Sequence, residues 1–395
     1  MNSPVGFHSK RLSVDTLYTS EQFKALGPEW LELEATSQPQ PFQSFDWCWV
    51  WWENWKAQRF FIRDELYIVT FREADGRLRG IAPLVRTTRP GVGWLSTREI
   101  QSFGADPNLT ELRTIVASRG QLPRVYEALM HHFLERPRDW DWLTLSGLVE
   151  DDALTRVIEQ SFVRVDWARQ VPNYVLSLPD SYEAFRSSLS RNIKESLRKC
   201  QNSLKRAQLV PKFSVLSALD DVDAGLQTFY KLHHARSELT DTVHHRDAFA
   251  GERSRTFLRE ICRRLAARGR LRIFQLSIDG NVVATRIAFI CQDALYLYFS
   301  GYDPKFRQFS VMTTLLAEAI KYAIESGLTQ VNLSTGRDVA KLRWGPQEIL
   351  YRDVHIVSPT FRGKAARQLS QLAKRTLQGA FDVTHVPECF VRWRG

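Results

Sequence analysis

The segment from Leu271 to Gly345 most constrains the fold, because strand-like and helix-like patterns follow one another there in a specific order. Leu271–Ile278 and Val282–Cys291 are rich in β-branched and aromatic residues, and Asp-Gly-Asn at positions 279–281 joins them. Asp-Gly between two such runs predicts a β-hairpin. Apolar and aromatic residues crowd Leu295–Ser300, which predicts a third strand buried on both faces. The segment is therefore expected to begin as three antiparallel strands.

A helix and a fourth strand complete this segment. Apolar residues recur every three or four positions from Val311 to Ile324, which predicts an amphipathic helix. Ser310 is the predicted N-cap of this helix, and Gly327 is the predicted residue after its C-terminal end. Thr329–Ser334 predicts a strand that returns beside the third one. Because a parallel return needs a crossover of about a dozen residues, the helix makes this pairing possible.

The amino-acid sequence of this segment indicates a protein family. It reads YFSGYDPKFRQFS, then TLLAEAIKYAIESGLTQVNLSTG, then KLRWG. This sequence, with its order of elements, resembles the CelD/BcsL-type acyltransferases of the GNAT superfamily, which are related to the Fem-type aminoacyltransferases that build peptidoglycan bridges. The resemblance extends from about Pro41 to Val357. It implies that an acyl-CoA lies between two splayed strands, with its pyrophosphate on the helix N-terminus, where free N–H groups and the helix dipole favour anions.

The same order of elements occurs a second time, nearer the N-terminus. Leu66–Arg72 and Leu78–Arg86 flank an Asp-Gly turn, Leu122–Leu134 is a predicted helix, and Trp142–Leu148 is a predicted strand. With the Fem-type resemblance, this repeat predicts an α/β fold of two tandem GNAT-like units with mixed, largely antiparallel sheets flanked by helices. The expected parts are a structural and substrate-shaping unit over 1–170, an acyltransferase unit over 171–360, and a basic helix and tail over 361–395.

Two other stretches have an alternative explanation in ordinary packing. Five tryptophans lie between Trp47 and Trp55, and they can form either a substrate-facing aromatic wall or a core helix with large side chains. We favour the core helix because buried aromatic side chains dominate core energetics. Ser181–Ala207 combines an apolar stripe with many Lys and Arg residues. Its basic side can bind a nucleic-acid backbone or a membrane surface, but a solvated helix face is the favoured interpretation.

The charge balance points to an anionic partner without choosing one. The 395 residues include 54 Lys and Arg and 44 Asp and Glu, a formal net charge of +10. CoA, tRNA, a nucleotide-linked sugar and an anionic membrane face all suit this balance, and so does a basic surface with no partner. The sequence has no apolar run of membrane-spanning length, no secretory signal and no CxxC pair among its five cysteines. We therefore expect a cytoplasmic protein without a metal.

Four residues are candidates for the acid–base chemistry of acyl transfer, in which the acceptor loses a proton and the leaving thiolate gains one. Tyr302 and Asp303 follow the third strand of the C-terminal unit, where Tyr302 can protonate the thiolate and Asp303 can act as a base or orient the acceptor. An ordinary Tyr-Asp-Pro turn explains this pair equally well. His233 or His234, on a predicted helix, can be a general base, but a hydrogen-bonded histidine is the favoured alternative.

The donor pyrophosphate is expected at the turn before the helix. Relatives often carry Ser-Pro-Gly there, whereas this chain has Val311 and Met312 after its serine, and these residues are expected to crowd a phosphate that glycine would admit. Arg307 can still neutralise the phosphate. On the acceptor side, Lys341 can bind a phosphate or carboxylate, or be an ordinary surface lysine. The predicted donor-site residues are Arg307, Gln308, Phe309, Ser310, Val311 and Met312, and the predicted acceptor-site residues are Arg236, Asp338, Lys341 and Trp344.

The leading functional hypothesis is an acyl-CoA-dependent N- or O-acyltransferase that acts on a sugar, an amino sugar or a similar small acceptor in polysaccharide or envelope synthesis. The resemblance alone gives this acceptor class. An aminoacyl-tRNA-dependent transferase is the second hypothesis, although the sequence lacks an uninterrupted heptad pair for the coiled-coil arm of many peptidoglycan-bridge enzymes. A non-catalytic binding protein on the same scaffold is the third.

Overall fold

The computed structural model describes residues 11–37, 40–91, 96–106, 108–162, 164–239 and 245–369. The helices are α1 (Ser20–Ala25), α2 (Gly27–Thr36), α3 (Phe45–Trp55), α4 (Leu122–Glu135), α5 (Asp152–Ser161), α6 (Tyr182–Ser188), α7 (Arg191–Arg206), α8 (Val222–Ser237), α9 (Glu252–Ala267), α10 (Val311–Glu325) and α11 (Val339–Leu342). The strands are β1 (Ser13–Leu17), β2 (Gln58–Arg59), β3 (Ile62–Arg72), β4 (Leu78–Pro90), β5 (Ser96–Ser102), β6 (Val116–Ala117), β7 (Trp142–Val149), β8 (Val165–Ser177), β9 (Pro211–Leu216), β10 (Leu271–Ile278), β11 (Asn281–Cys291), β12 (Ala294–Tyr302), β13 (Gln330–Thr335) and β14 (Gln347–Val357).

These strands form a single mixed sheet in the order β1-β3-β4-β5-β7-β14-β8-β13-β12-β11-β10-β9, with β2 beside β3 and β6 beside β4. Two neighbouring pairs, β5 with β7 and β12 with β13, are parallel, and the other pairs along this path are antiparallel. A long helix connects each parallel pair, as a parallel return requires. The predicted α/β fold, with a largely antiparallel sheet flanked by helices, is confirmed.

The two halves of the sheet repeat one strand order. The N-terminal half runs β3-β4-β5-α4-β7 and the C-terminal half runs β10-β11-β12-α10-β13, so the predicted repeat of strand order is confirmed. The halves also exchange strands at the centre of the sheet. β8 follows β7 in the chain but pairs with β13, while β14 follows β13 but pairs with β7. β14 and β8 then pair with each other, which makes the sheet continuous across both halves.

The tryptophan-rich segment forms α3, which lies in the core. Trp47, Trp51 and Trp52 are buried, and the Trp47 ring lies edge-on against Phe257 of α9 with ring centroids 5.3 Å apart. The Trp47 Nε1–H donates to Thr110 Oγ1 at 3.0 Å, which satisfies the polar edge of this buried ring. The core-helix interpretation of the tryptophans is therefore confirmed.

The predicted basic helix over Ser181–Ala207 is two helices, α6 and α7, because Leu189 is extended and Ser190 begins a new helix as its N-cap. Ile193, Cys200 and Leu204 of α7 are buried, whereas its basic residues point to solvent.

Residues 361–369 are helical, and the rest of the predicted Lys364–Leu377 helix lies outside the described residues. No helix within the described ranges has the length and apolar character needed to cross a bilayer.

The N-terminal half contains a buried histidine, His132, whose surroundings shift its pKa. His132 of α4 accepts from Arg136 Nη1 through its Nδ1 atom at 3.2 Å, and its Nε2 atom lies 2.8 Å from the Tyr67 hydroxyl. Because arginine is only a donor, Nδ1 carries no proton and the ring is neutral. Burial, and then the charge of Arg136, lowers the pKa of His132 from 6.5 to about 4.

We expect acidification to destabilise the protein through His132. Its folded pKa is below its unfolded pKa, so its contribution to stability is present above pH 6.5 and is lost as the pH falls towards 4. The expected loss of unfolding free energy between pH 7 and pH 5 is about 2 kcal/mol. Urea unfolding of His132→Gln should show a weaker pH dependence over this interval. His131→Gln, at the exposed neighbouring position, should retain the dependence of the wild type.

Candidate active site

A gap opens in the sheet between β12 and β13. Their parallel pairing runs from Ala294 with Gln330 to Tyr296 with Asn332 and then stops, although β12 continues to Tyr302. β13 is irregular beyond that point, where Ser334 has a left-handed φ of 72° and the pairing with β8 shifts register. The remainders of the two strands, 297–302 and 333–335, do not pair with each other, and they bound what we call the β12–β13 gap.

The N-terminus of α10 follows directly from β12 through a short 3₁₀ segment, Pro304–Phe309. Ser310 is the N-cap residue of α10, as predicted, but it has a left-handed φ of 51° and its side chain makes no capping bond. Thr313 N–H bonds back to Ser310 O at 2.8 Å. Within the described residues, the N–H groups of Val311 and Met312 make no such bond, and they are the free donors of the first turn. This helix end favours an anion.

The predicted crowding of phosphate by Val311 is wrong. The Val311 side chain is 1% exposed and belongs to the apolar core beneath the sheet, so only its backbone N–H can face a ligand. Ser310 instead occupies the left-handed conformation that glycine adopts without strain, at a cost of roughly 1–2 kcal/mol for a residue with a Cβ atom. The remaining predicted donor-site residues are at the turn, with Arg307 and Gln308 exposed and Phe309 and Met312 half-buried against the core.

Arg343 is a donor-site candidate that the sequence interpretation missed. Its Nη2 atom donates to Thr313 Oγ1 at 2.6 Å, in the first turn of α10, and its Nη1 atom donates to Ser196 Oγ of α7 at 3.4 Å. The Nε atom is buried without a hydrogen-bond partner in the described residues. Arg343 thus places a half-buried positive charge, held by neutral hydroxyls, beside the free N–H groups. The only sequence signal was its place in the KLRWG motif.

Glu111 was also missed, and it comes from the other half of the chain. It lies between β5 and β6 and reaches the closed end of the β12–β13 gap. Its Oε2 atom accepts from the Tyr296 hydroxyl at 2.5 Å and from Ser334 Oγ at 2.7 Å. Tyr296 is the last residue of β12 that pairs with β13, so the carboxylate lies where these two strands part. The N-terminal unit therefore contributes directly to the candidate site.

The structure separates the two candidates at the end of β12. Tyr302 is half-buried, and its ring lies 5.9 Å from the Arg236 guanidinium. Asp303 accepts from Lys305 N–H at 3.0 Å and caps the 3₁₀ segment, as the turn interpretation expects. Tyr302 is thus available to a ligand, while the Asp303 carboxylate already stabilises the turn.

The two histidines of α8 lie behind β12. His233 is 5% exposed, its Nδ1–H donates to Ser300 O at 3.0 Å, and its ring packs among phenylalanines. Burial lowers the pKa of His233. His234 is exposed, with its Nδ1 atom 3.1 Å from Asp247 Oδ2. This geometry favours hydrogen-bonded structural histidines over a general base.

The predicted acceptor-site residues are not all accessible. Arg236 of α8 donates to Ser300 Oγ at 3.0 Å, and Lys341 of α11 donates to Thr335 O at 2.6 Å, which places both beside the gap. Asp338 is exposed and caps α11 by accepting from the N–H at position 340. Trp344 is 4% exposed and packs in the core, so its side chain cannot contact an acceptor.

Comparisons with known proteins agree with this geometry. Residues 191–342, which include α7 to α11 and both strands of the gap, match the family of the acetyltransferase (GNAT) domain. No curated protein sequence matches the chain. This part of the chain is therefore similar in sequence to a GNAT acetyltransferase domain. The similarity supports a transferase activity.

Solved structures resemble the chain along most of its length. FemX has a TM-score of 0.57 and 12% identity over 86% of this chain and 96% of that one, which shows a shared fold. L-PGS from Bacillus licheniformis has a TM-score of 0.47 and 10% identity over 90% and 97% of the two chains. A tandem GNAT protein from the clavulanic acid biosynthesis pathway has a TM-score of 0.40 and 11% identity over 88% and 99%.

Proposed function

We propose that this chain, through its GNAT acetyltransferase domain, transfers an acyl group from acyl-CoA to an amino or hydroxyl group of a small acceptor. The sugar or amino sugar of polysaccharide or envelope synthesis expected from the CelD/BcsL resemblance remains the proposed acceptor class. One observation carries the proposal: the β12–β13 gap opens beside the free N–H groups at the start of α10. Such a gap accommodates a pantetheine arm, and such a helix end binds its pyrophosphate.

The residues at the gap suit the two proton transfers of the reaction. The acceptor nitrogen or oxygen attacks the thioester carbon, and its proton passes to the Glu111 carboxylate at the closed end of the gap. The tetrahedral intermediate then collapses, the C–S bond breaks, and the thiolate takes a proton from the Tyr302 hydroxyl. Tyr302 suits this role because its ring lies at the end of β12 beside the gap. Backbone N–H groups of 297–302 on the side of β12 that faces the gap can stabilise the oxyanion.

The donor phosphates are assigned to Arg343, Arg307 and the first-turn N–H groups of Val311 and Met312. We expect Arg343→Gln and Arg307→Ala each to weaken CoA binding by about 1–3 kcal/mol, or roughly 5- to 150-fold, because each removes a charge-assisted hydrogen bond. Calorimetry with CoA, acetyl-CoA and longer acyl-CoAs measures this change. Lys321→Gln is the matched control: Lys321 is a half-buried cation further along α10 that pairs with Glu325, and this variant should bind as the wild type does. A wild-type protein that binds none of these ligands contradicts the proposal.

An aminoacyl-tRNA-dependent transferase is the second candidate, and the exposed basic side of α7 favours it. Arg191, Lys194, Arg198 and Lys199 are exposed on this helix, which contacts α10 and the segment before it. Such a surface suits a phosphate backbone. Salt-dependent binding of tRNA without binding of CoA would select this function. Binding of neither ligand would select a non-catalytic protein on the same scaffold.

A further inference from the structure

Three half-buried cations from three separate elements lie together beside the β12–β13 gap. They are Arg236 of α8, Arg286 of β11 and Lys341 of α11, and we call them the cation cluster. Arg236 Nη1 donates to Ser300 Oγ at 3.0 Å, and Arg286 Nη2 approaches the same oxygen at 3.5 Å. Lys341 Nζ donates to Thr335 O at 2.6 Å. Both guanidinium groups therefore share one neutral hydroxyl, and Arg236 Nη2 also donates to His245 Nε2 at 2.7 Å.

The cation cluster has no carboxylate partner in the described part of the chain. No Asp or Glu oxygen there lies within the 4.0 Å of a salt bridge to any of the three cations. Glu111 and Asp338 are carboxylates that act on the cluster electrostatically. Glu111 accepts instead from Tyr296 and Ser334, and Asp338 caps α11. No carboxylate in the described part of the chain therefore contacts the cations directly.

A partly buried charge is costly without a direct counter-anion, and the described carboxylates provide none for this cluster. Burial lowers the pKa of Arg286 to about 10 and also lowers the pKa values of Arg236 and Lys341. Arg286 Nε is buried and makes no hydrogen bond within the described residues. An anion bound between these side chains would satisfy that donor and offset the cost of burying their charges.

The local charge balance selects the kind of anion. The cluster contributes three positive charges, and Glu111 and Asp338 contribute two negative charges, which leaves a net charge of +1. A monoanion neutralises this charge, whereas a phosphate dianion overcompensates it. Paired guanidinium groups also match the two oxygens of a carboxylate.

We infer that the cation cluster binds a carboxylate of the acceptor, so the acceptor is a small amine or alcohol that carries a carboxylate. The inference rests on the proposed function for the identity of the bound molecule as acceptor. Arg236 lies over the Tyr302 ring, so a carboxylate held there is close to the residue assigned to protonate the leaving thiolate. The cluster is thus a specificity site for acidic acceptors.

The anion site is tested first without any donor. Wild type, Arg286→Gln and Arg272→Gln are titrated with acetate, inorganic phosphate or chloride at constant ionic strength, and binding is followed by calorimetry and by melting temperature. Arg272 is a half-buried arginine of the neighbouring strand β10, outside the cluster, so its variant is the matched control. We expect acetate to bind wild type and Arg272→Gln, and at least a tenfold loss of affinity in Arg286→Gln. Lys341→Gln serves the same purpose if Arg286→Gln fails to fold.

The role in acceptor choice is tested with matched acceptor pairs and acetyl-CoA. Glycine is compared with glycinamide, and glucosamine with muramic acid, its ether that carries a carboxylate. We expect kcat/KM at least tenfold higher for the carboxylate member of a pair, and loss of this preference through KM in Arg286→Gln. If the protein binds acetate but not CoA, the proposed function is wrong, whereas the anion site is supported. The inference is overturned if acyl transfer shows no preference for the carboxylate acceptor. It is also overturned if acetate binds no more strongly than chloride, or if phosphate binds more tightly than acetate.

Discussion

Replacement of Gly301 by alanine is expected to remove about 3 kcal/mol or more of unfolding free energy and to abolish activity. A Cβ atom at Gly301 of β12 would lie 2.3 Å from the backbone N of His233 and 2.5 Å from the carbonyl carbon of Leu232. These are main-chain atoms of α8, so no rotamer change can relieve the overlap and the helix must move from the sheet. Arg236 lies on that helix and would move with it. Urea unfolding and acyl-transfer assays measure the two losses.

Gly251→Ala is the matched control for this prediction. Gly251 precedes α9 with an ordinary φ of −86°, and a Cβ atom there would meet no heavy atom within 4 Å. Its expected cost is below about 1 kcal/mol, the loss of a good N-cap residue. If Gly301→Ala unfolds at the same urea concentration as Gly251→Ala, the close packing of α8 on β12 is wrong.

Tyr302→Phe is expected to lower kcat by about 10²- to 10⁴-fold, the range for loss of a general acid, while CoA affinity stays within a few fold of wild type. Within the described residues, the Tyr302 hydroxyl makes no hydrogen bond that folding depends on, so the unfolding free energy should change little. Steady-state rates of CoA release give kcat, and calorimetry gives the donor affinity.

Tyr298→Phe, on the same strand, should show the opposite pattern. Its buried hydroxyl donates to Leu109 O at 2.5 Å, so the variant leaves a buried carbonyl unsatisfied and should lose about 1–3 kcal/mol of stability. Its kcat should remain within a few fold of wild type at a temperature where it is folded. If Tyr302→Phe loses stability rather than kcat, Tyr302 is a structural residue and the acid must be another group.

Local patterns were sufficient to predict the parts of the fold that local chemistry determines. The predicted strand Leu271–Ile278 has the same bounds as β10. Asp279 has a φ of 50° and Gly280 a φ of 79°, and an Asp-Gly hairpin turn requires such positive angles. The apolar periodicity of Val311–Ile324 likewise corresponds to α10. Hairpins and amphipathic helices depend on residues close in sequence, so one sequence carries their signal.

Contacts between distant segments could not be predicted in this way. Glu111 reaches Tyr296 across 185 positions, and nothing in the residues around it indicates that partner. The exchange of β8 and β14 depends on which strand edges remain unpaired after the rest of the sheet forms. Arg343 was missed because its role comes from contacts with Ser196 and Thr313, on two helices that the tertiary fold brings to it. The candidate site is thus largely a product of the tertiary structure.

Amide hydrogen exchange with and without saturating acetyl-CoA tests most directly where the donor binds. We expect slower exchange at Val311 and Met312 and along 297–302, because pyrophosphate and pantetheine engage these N–H groups. Exchange should be unchanged at the start of α4, the equivalent helix end of the N-terminal unit. Protection confined to the N-terminal unit, or absent from both helix ends, would contradict a donor site in the β12–β13 gap.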